Sequence, residues 1–490
     1  MLKSPTLIPG AWSLFVLAGI PFSPTARADD FDKIRALIKE QLAETRTASI
    51  AVAAVRDGKI VWEEGFGWGD VENSVAADAH SRYALASISK AVTATGLMVL
   101  VRKGKVDLDR PVNDYLGEAK VTARAGSAKD ATVRRVANHT AGLPVHHQFF
   151  YDNEPDKPPA MDDTITRYAY LTIPPRERFL YSNLGYGILG HVIARASGQE
   201  FGAFLRAEVF EPLGLDDMSL GVRPDDKKEA LRYDEAQKLL PRMTSDHPGA
   251  SDLYGSAHDL ARFALFHLKA HLKDQRAILS DEQIDELQRG KPGQGMGCGI
   301  DETTGGYRLI RYSGGMPGSS TDVILVPAKR VAVVVLSNSR SRAVYTLSKA
   351  ILSTLIPDLG DAASKPVPGD KVDIKTLAGT WVGAVHTYQA EIPFRLVITD
   401  SGEARATLGK EPECPVTNCR IVPEGFLTGQ LRGDLGTEDL KRHRYVLVPH
   451  LKRNGDVLSG SLIAMSDDGR RERFELPHWV ELRKEGKGQP

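Results

Sequence analysis

The chain has 490 residues, too many for one ordinary domain, so two or three are expected. Hydrophobic residues make up 42% and charged residues 26%, the balance of a soluble globular protein. Lys plus Arg and Asp plus Glu both number 63, so formal net charge is zero, and no long basic or acidic run favours nucleic acid or an anionic membrane surface.

The first 28 residues read as a targeting segment. Lys3 gives a weak basic start, Gly10 to Ile20 is apolar but too short to cross a bilayer, and Ala26-Arg27-Ala28 has the small-x-small form of a signal-peptidase site. Cleavage is expected after Ala28, which predicts a periplasmic or secreted protein. No cysteine follows the apolar run to carry a lipid anchor, and no other segment is long and apolar enough for a stable membrane span.

Residues 31–45 predict an amphipathic helix, with Ile34, Leu37, Ile38 and Leu42 on one face. Ser49 to Val55 and Ile60 to Trp62 flank Asp57-Gly58, a strong hairpin signal. From Ser87 to about residue 280 the pattern is mainly helical. Strand character returns at Tyr307–Tyr312, Thr321–Val326 and Val331–Leu336, with Pro327 to Arg330 as the last turn, and a helix follows over Ala343–Leu355. The order predicts one antiparallel sheet built from both ends of residues 29–356, with the middle of the chain as a helical lobe and a cleft between them. Residues 357–372 have the Pro/Gly composition of a linker. Beyond them, turns at Ser401-Gly402, Asn454-Gly455 and Asp468-Gly469 separate short alternating runs. Residues 373–490 thus predict a small antiparallel β domain, barrel or sandwich, that folds independently.

Three cysteines lie in the chain. Cys414 and Cys419 are placed to close a small disulfide in an oxidising compartment, the alternative being free thiols, and Cys298 is left alone. Three cysteines without spaced histidines do not make a zinc site. Adjacent His146 and His147 do not suit one ion either, so no metal and no cofactor is expected.

Ser87-Ile88-Ser89-Lys90 is the one Ser-x-x-Lys of the chain. Three residues apart on a helix, the serine and lysine share a face, and a desolvated amine can take the proton that keeps a hydroxyl from being a nucleophile. The bland reading is an N-cap serine and a solvated lysine. Tyr181-Ser182-Asn183 precedes a helical run, and Tyr181 and Asn183 face the same way if the loop is extended. A tyrosine beside an ammonium can carry a proton, and Asn183 can offer an amide to a substrate carbonyl. Tyr312-Ser313-Gly314-Gly315 reads as a strand end entering a turn, its glycines allowing close approach of a substrate.

In this order these segments resemble the serine β-lactamase and penicillin-binding-protein superfamily, in the branch of class C β-lactamases, D-alanyl-D-alanine carboxypeptidases and related esterases. Ala137-Asn138-His139-Thr140-Ala141-Gly142-Leu143-Pro144, Glu211–Met218 and Tyr254–Phe263 support the resemblance, which covers about residues 30–355. It implies an α+β fold, an antiparallel sheet flanked by helices with a helical lobe. It also implies a covalent acyl-enzyme on Ser87, with Lys90 beside it, Tyr181 as general base, Asn183 next to that base, and an oxyanion hole from the N–H groups of Ser87 and Gly315. His139 falls in the family's structural loop, and the C-terminal domain resembles lipocalin-like appendages. The departure is Tyr312, where β-lactamases and carboxypeptidases usually carry Lys or His to hold a substrate carboxylate. Some esterases of the group have an aromatic residue there. Arg311, the nearest substitute cation, is expected on the opposite strand face. The resulting expectation is a serine hydrolase of a small-molecule or peptide substrate, cutting an ester, amide or peptide bond. The alternative is a catalytically silent member that binds peptides or self-assembles.

Overall fold

The computed structural model describes residues 31–359 and 372–486, apart from 225, 292, 303 and 468–470. The targeting segment, most of the linker and the Asp468-Gly469 turn lie outside the described residues.

Helix α1 (Asp32–Thr45) leads into β1 (Ser49–Arg56) and β2 (Lys59–Asp70). The Asp57-Gly58 hairpin forms as expected: both residues have positive φ, 50° and 77°, the geometry of the tight turn that matches strand twist. A short β3 (Val75–Ala76) follows. After the long insertion come β4 (Gly299–Asp301), β5 (Leu309–Met316), β6 (Ser319–Val326) and β7 (Val331–Ser337). They assemble in the order β4-β5-β6-β7-β1-β2-β3, so the chain's two halves meet where β7 pairs with β1. This sheet is covered on both faces, which explains why β1 and β7 are apolar throughout. Ile50, Val52, Ala54, Val331, Val333 and Val335 join one core, under α1 and α6 (Ala343–Leu355). Ala51, Ala53, Val55, Ala332, Val334 and Leu336 join the other, shared with the helical lobe.

One boundary differs from the sequence reading. Tyr312 to Gly315 does not enter a turn; the strand runs on to Met316, and Pro317-Gly318 makes the turn, Gly318 with φ 71°. Ladder pairing of Ser313, Gly314, Gly315 and Met316 with Asp322, Thr321, Ser320 and Ser319 overrides the weak strand propensity of the glycines.

The lobe contains α2 (Ser89–Arg102), α3 (Asn183–Ser197), α4 (Pro248–Ser251) and α5 (Ala257–His267), together with short strands such as Tyr83–Ala84 and Leu253–Gly255 that helical patterning did not signal. Helix α3 carries glycines because α4 lies directly on it. A Cβ on Gly187 would meet His247 at 2.9 Å, and one on Gly249 would meet the Tyr186 carbonyl at 2.4 Å.

The C-terminal domain is a nearly closed antiparallel barrel. Its strands are β8 (Gly379–His386), β9 (Glu391–Ile398), β10 (Ala404–Leu408), β11 (Cys414–Pro415), β12 (Thr417–Ile421), β13 (Phe426–Gln430), β14 (Tyr445–Asn454), β15 (Val457–Ser466) and β16 (Phe474–Lys484). Their order is β11-β10-β9-β8-β16-β15-β14-β13-β12. Cys414 and Cys419 lie on the two edge strands as free thiols, so the small disulfide is not formed; Cys414 Sγ instead faces the Arg432 carbonyl. The barrel is no detached module. Strand β16 pairs with the lobe strand His147–Tyr151, and the barrel's apolar interior is continuous with the lobe's.

Candidate active site

The segment before Ser87 is held from two sides. The Leu85 N–H donates to the Leu253 carbonyl (2.8 Å), while Ser319 Oγ and Thr321 Oγ1 of β6 donate to the carbonyls of Ala84 (2.7 Å) and Leu85 (3.0 Å). Between them Ala86 is forced to φ 48°, a left-handed conformation costly for a residue with a Cβ. Ser87 follows in a 3-10 turn (Ala86–Ile88) that runs into α2. Gly314 permits this crossing: a Cβ there would lie 2.5 Å from both the Leu85 carbonyl and Thr321 Oγ1. A Cβ on neighbouring Gly315 would meet nothing within 4 Å, so this stretch of β5 borders open space.

Ser87 Oγ sits between two proton carriers. Lys90 Nζ donates to it at 2.9 Å, and the Tyr181 hydroxyl lies 2.8 Å away. Lys90 is buried, and Nζ also donates to the Ala250 carbonyl of α4 (3.0 Å). Burial pushes its ammonium below the usual lysine range, opposed in part by the nearby Tyr181 phenol. Tyr181 is 38% exposed, so the group facing Lys90 on the other side of the serine reaches solvent. Its ring also lies under the amine, 4.9 Å from Nζ. Asn183 is placed differently from the extended-loop reading. Ser182 caps α3 by accepting from the Gly185 N–H, so Asn183 is already helical, and it makes no hydrogen bond to Ser87 or Lys90 among the described residues.

His139 supports Tyr181. Its Nδ1 accepts from the Ser182 N–H (3.1 Å), its carbonyl accepts from the Leu180 N–H (2.7 Å), and its ring lies 4.6 Å from the Tyr181 ring. Burial, with Lys90 close by, pushes the imidazole down to about 3, so it stays neutral and keeps that acceptor. His139 itself lies in the segment just after the Val133–Ala137 helix, and from there it braces the separate loop that carries Tyr181. The barrel reaches the same loop: Arg178 stacks 3.9 Å from the Phe426 ring centre and donates to the Glu424 carbonyl, and Lys452 pairs with Glu177 at 2.7 Å.

A cavity of about 300 Å³ opens over Ser87, bounded by Lys90, Phe179, Tyr181, Cys298 and Tyr312. Tyr312 is only 4% exposed, with Phe263 and His267 ring centres 6.2 and 6.0 Å from its own, and burial raises its phenol well above the ordinary value. It presents a neutral, mostly apolar wall. Arg311 forms a bidentate pair with buried Asp322, at 2.7 and 3.0 Å, and stacks over Tyr345 of α6, as strand alternation required. Cys298 is pushed up to about 12 by burial, so it stays a thiol. Its place in the wall, like that of Phe179, was missed from sequence, as was the Ala250 carbonyl that accepts from Lys90. The run Gly293, Gly295, Gly297, Gly299 was a usable signal, since a Cβ on Gly297 would lie 2.7 Å from the Lys90 carbonyl. Chemically, the constellation can withdraw the Ser87 proton into a pair of buried and half-buried bases while a carbonyl carbon lies over Oγ.

Comparison with known proteins agrees with this geometry. The Beta-lactamase family matches residues 34–355. The chain belongs to the Beta-lactamase family. Among curated relatives, penicillin-binding protein 4* of Bacillus subtilis is 25% identical over 367 residues, 69% of this chain and 79% of that protein. Protein flp of Staphylococcus aureus (strain MRSA252) is 24% identical over 338 residues, 67% of each chain. Two solved structures share both parts of the fold. SurE matches with TM-score 0.62 and 21% identity over 92% of this chain and all of its own. The octameric penicillin-binding protein homologue from Pyrococcus abyssi matches with TM-score 0.58 and 22% identity, over 91% of this chain and 100% of that one. A class C β-lactamase matches over 66% of this chain and 96% of its own, with TM-score 0.57 and 20% identity.

Proposed function

We propose that this Beta-lactamase family member is an exported serine hydrolase that cuts an ester, amide or peptide bond through an acyl-enzyme on Ser87. The observation that carries the reading is Ser87 Oγ held 2.9 Å from Lys90 Nζ and 2.8 Å from the Tyr181 hydroxyl. Ser87 Oγ adds to the substrate carbonyl carbon as its proton passes to the Lys90–Tyr181 pair. The backbone N–H groups of Ser87 and Gly315 serve as donors to the oxyanion. Collapse expels the alcohol or amine, which takes the proton from the same pair; water then repeats the addition and releases the acid. Asn183, the first residue of α3, does not bound the cavity, so a substrate contact for it rests on the family resemblance alone. Export rests on the apolar run and the Ala26-Arg27-Ala28 site.

The wall at Tyr312 favours substrates without a carboxylate next to the scissile bond, because Lys90 is engaged by Ser87 while Arg311 is turned to the other face of β5 and paired with Asp322. Short activated esters are therefore the first substrates to assay, with D-amino esters as a second arm, since a solved structure of similar fold holds D-Leu. The deciding test is mass spectrometry after treatment with a fluorophosphonate. One adduct on Ser87, absent in Ser87→Ala, is expected. An unmodified Ser87, with hydrolysis persisting in Ser87→Ala, overturns the reading.

A further inference from the structure

A second constellation lies at the far side of the sheet, on β2, with three strands between it and β5. Glu63 of β2, His80 in the segment leading to Ser87, and His258 in the first turn of α5 each bring one donor atom within 4.8 Å of the other two. The His80 and His258 ring centres are 4.5 Å apart. His258 Nδ1 lies 2.8 Å from Glu63 Oε2, and His80 Nδ1 lies 2.9 Å from Asp217 Oδ2. The second nitrogen of each imidazole has no hydrogen bond to protein among the described residues. We propose that Glu63, His80 and His258 form a surface site for a divalent transition-metal ion of the zinc type.

The donor set selects the ion. Two imidazoles and one carboxylate are ligands that Zn²⁺ accepts, with solvent completing a tetrahedron, whereas Mg²⁺ and Ca²⁺ call for a shell of oxygens. Metal–ligand bonds of about 2.0–2.1 Å place neighbouring donors about 3.3 Å apart, so closing the set needs only side-chain rotation. Part-exposed side chains allow it: His80 is 44%, His258 26% and Glu63 30% accessible. Asp217 is an outer partner. Accepting from His80 Nδ1 fixes that ring's tautomer, the arrangement that commonly orients a metal-binding imidazole. Its other oxygen accepts from Lys228 Nζ at 3.2 Å, so Asp217 is already charge-balanced and Glu63 is left to meet the ion's charge. The backbone positions are also tied, the His258 N–H donating to the Ala79 carbonyl at 3.1 Å. An ion here clips β2 and α5 to the segment that enters the nucleophile turn, and its expected effect is on stability rather than on chemistry.

The test is titration of the full chain, stripped of metal by a chelator, with Co²⁺ followed by its visible absorption, and with Zn²⁺ followed by calorimetry and thermal unfolding. One equivalent of ion, a tetrahedral Co²⁺ spectrum and a higher unfolding midpoint are expected. His80→Ala, His258→Ala and Glu63→Gln should each weaken binding at least tenfold, while His271→Ala, an exposed histidine beyond the end of α5, should not. Glu63→Gln guards against a folding defect, since it keeps the side chain's shape. No binding to the unmodified protein overturns the proposal. So does equal binding in the His80→Ala/His258→Ala double variant, which places the ion elsewhere, for example at buried His146, Asp246 and His247.

Discussion

Lys90 is an amine placed where charge is expensive, and the proposed mechanism draws on that placement. In the unfolded chain it titrates near the ordinary lysine value; in the fold, burial lowers it. Between the lowered value and the ordinary one the unfolded chain binds the extra proton, so stability contributed by this site rises with pH across that window and is lost as pH falls through it. The same sign governs chemistry: kcat/KM for a neutral ester should fall toward acid as the pair becomes protonated. Lys90→Ala, Tyr181→Phe and the double variant should each lose activity to a similar extent, because groups acting as one proton relay are non-additive. Steady-state kinetics check this, and full activity in Tyr181→Phe would remove Tyr181 from the relay. At Tyr312, exchanging a phenol for an imidazolium replaces a neutral donor with a charge-assisted one. The gain is on the order of 1 kcal/mol, enough for several-fold selectivity. Tyr312→His should shift the kcat/KM ratio toward carboxylate-bearing D-Ala-D-Ala peptides and penicillins. An unchanged ratio would show that the wall does not set selectivity.

Two short elements decide whether those residues meet. The turn that carries Ser87 depends on β5 passing against Leu85 without a side chain between them. Gly314→Ala drives a Cβ to 2.5 Å from a carbonyl and a hydroxyl, so one strand must move. Overpacking of this kind costs about 1–3 kcal/mol. The expected outcome is a lower unfolding midpoint together with loss of acylation, read by calorimetry and by fluorophosphonate labelling. The loop 176–181 is the other element. His139 holds its end through Ser182 and Leu180, and removing that acceptor leaves a buried N–H unpaired, at a cost of about 1–3 kcal/mol. The motif containing Gly314 was legible in sequence, but the reason for its glycine was not. The clash is with a residue 229 positions earlier in the chain, and only the sheet brings the two together.

At the scale of the molecule, the barrel and the lobe are joined by backbone pairing at Gln148 and His147, by a shared apolar interior, and by the Arg178–Phe426 and Lys452–Glu177 contacts on the Tyr181 loop. A chain ending near residue 358 should therefore be less soluble, unfold at a lower temperature, and turn over a small ester more slowly than the full protein. Light scattering, calorimetry and kcat/KM check this. Full stability and rate in the truncated chain would restore the picture of an independent appendage. The interior also predicts acid sensitivity. His139, His267 and His478 are each pushed down to about 3 by burial, so between about pH 6.5 and 3 the unfolded chain holds more protons and stability falls as pH falls. Asp246, held low by His146 and His247, acts in the same direction. Asp259, raised by burial to about 7, opposes it, as do His147 and His258, raised by carboxylate partners. Denaturant midpoints measured at pH 7, 5.5 and 4.5 should decline in that order.

Sequence by itself determined what local spacing can encode. It set the helix face of α1, the Asp57-Gly58 hairpin, the apolar runs of β1 and β7, the Ser87–Lys90 pair one helical turn apart, and the separation of a mixed domain from an all-β one. These depend on side-chain period and turn chemistry, which act over a few residues. Tertiary structure alone decided that Tyr181 reaches Ser87 while Asn183 does not, that Ser313 to Met316 stays extended, that Cys414 and Cys419 stay apart, and that Glu63, His80 and His258 converge. Each of those outcomes turns on a contact between distant segments, and such contacts are settled by how two faces pack rather than by any residue's own preference.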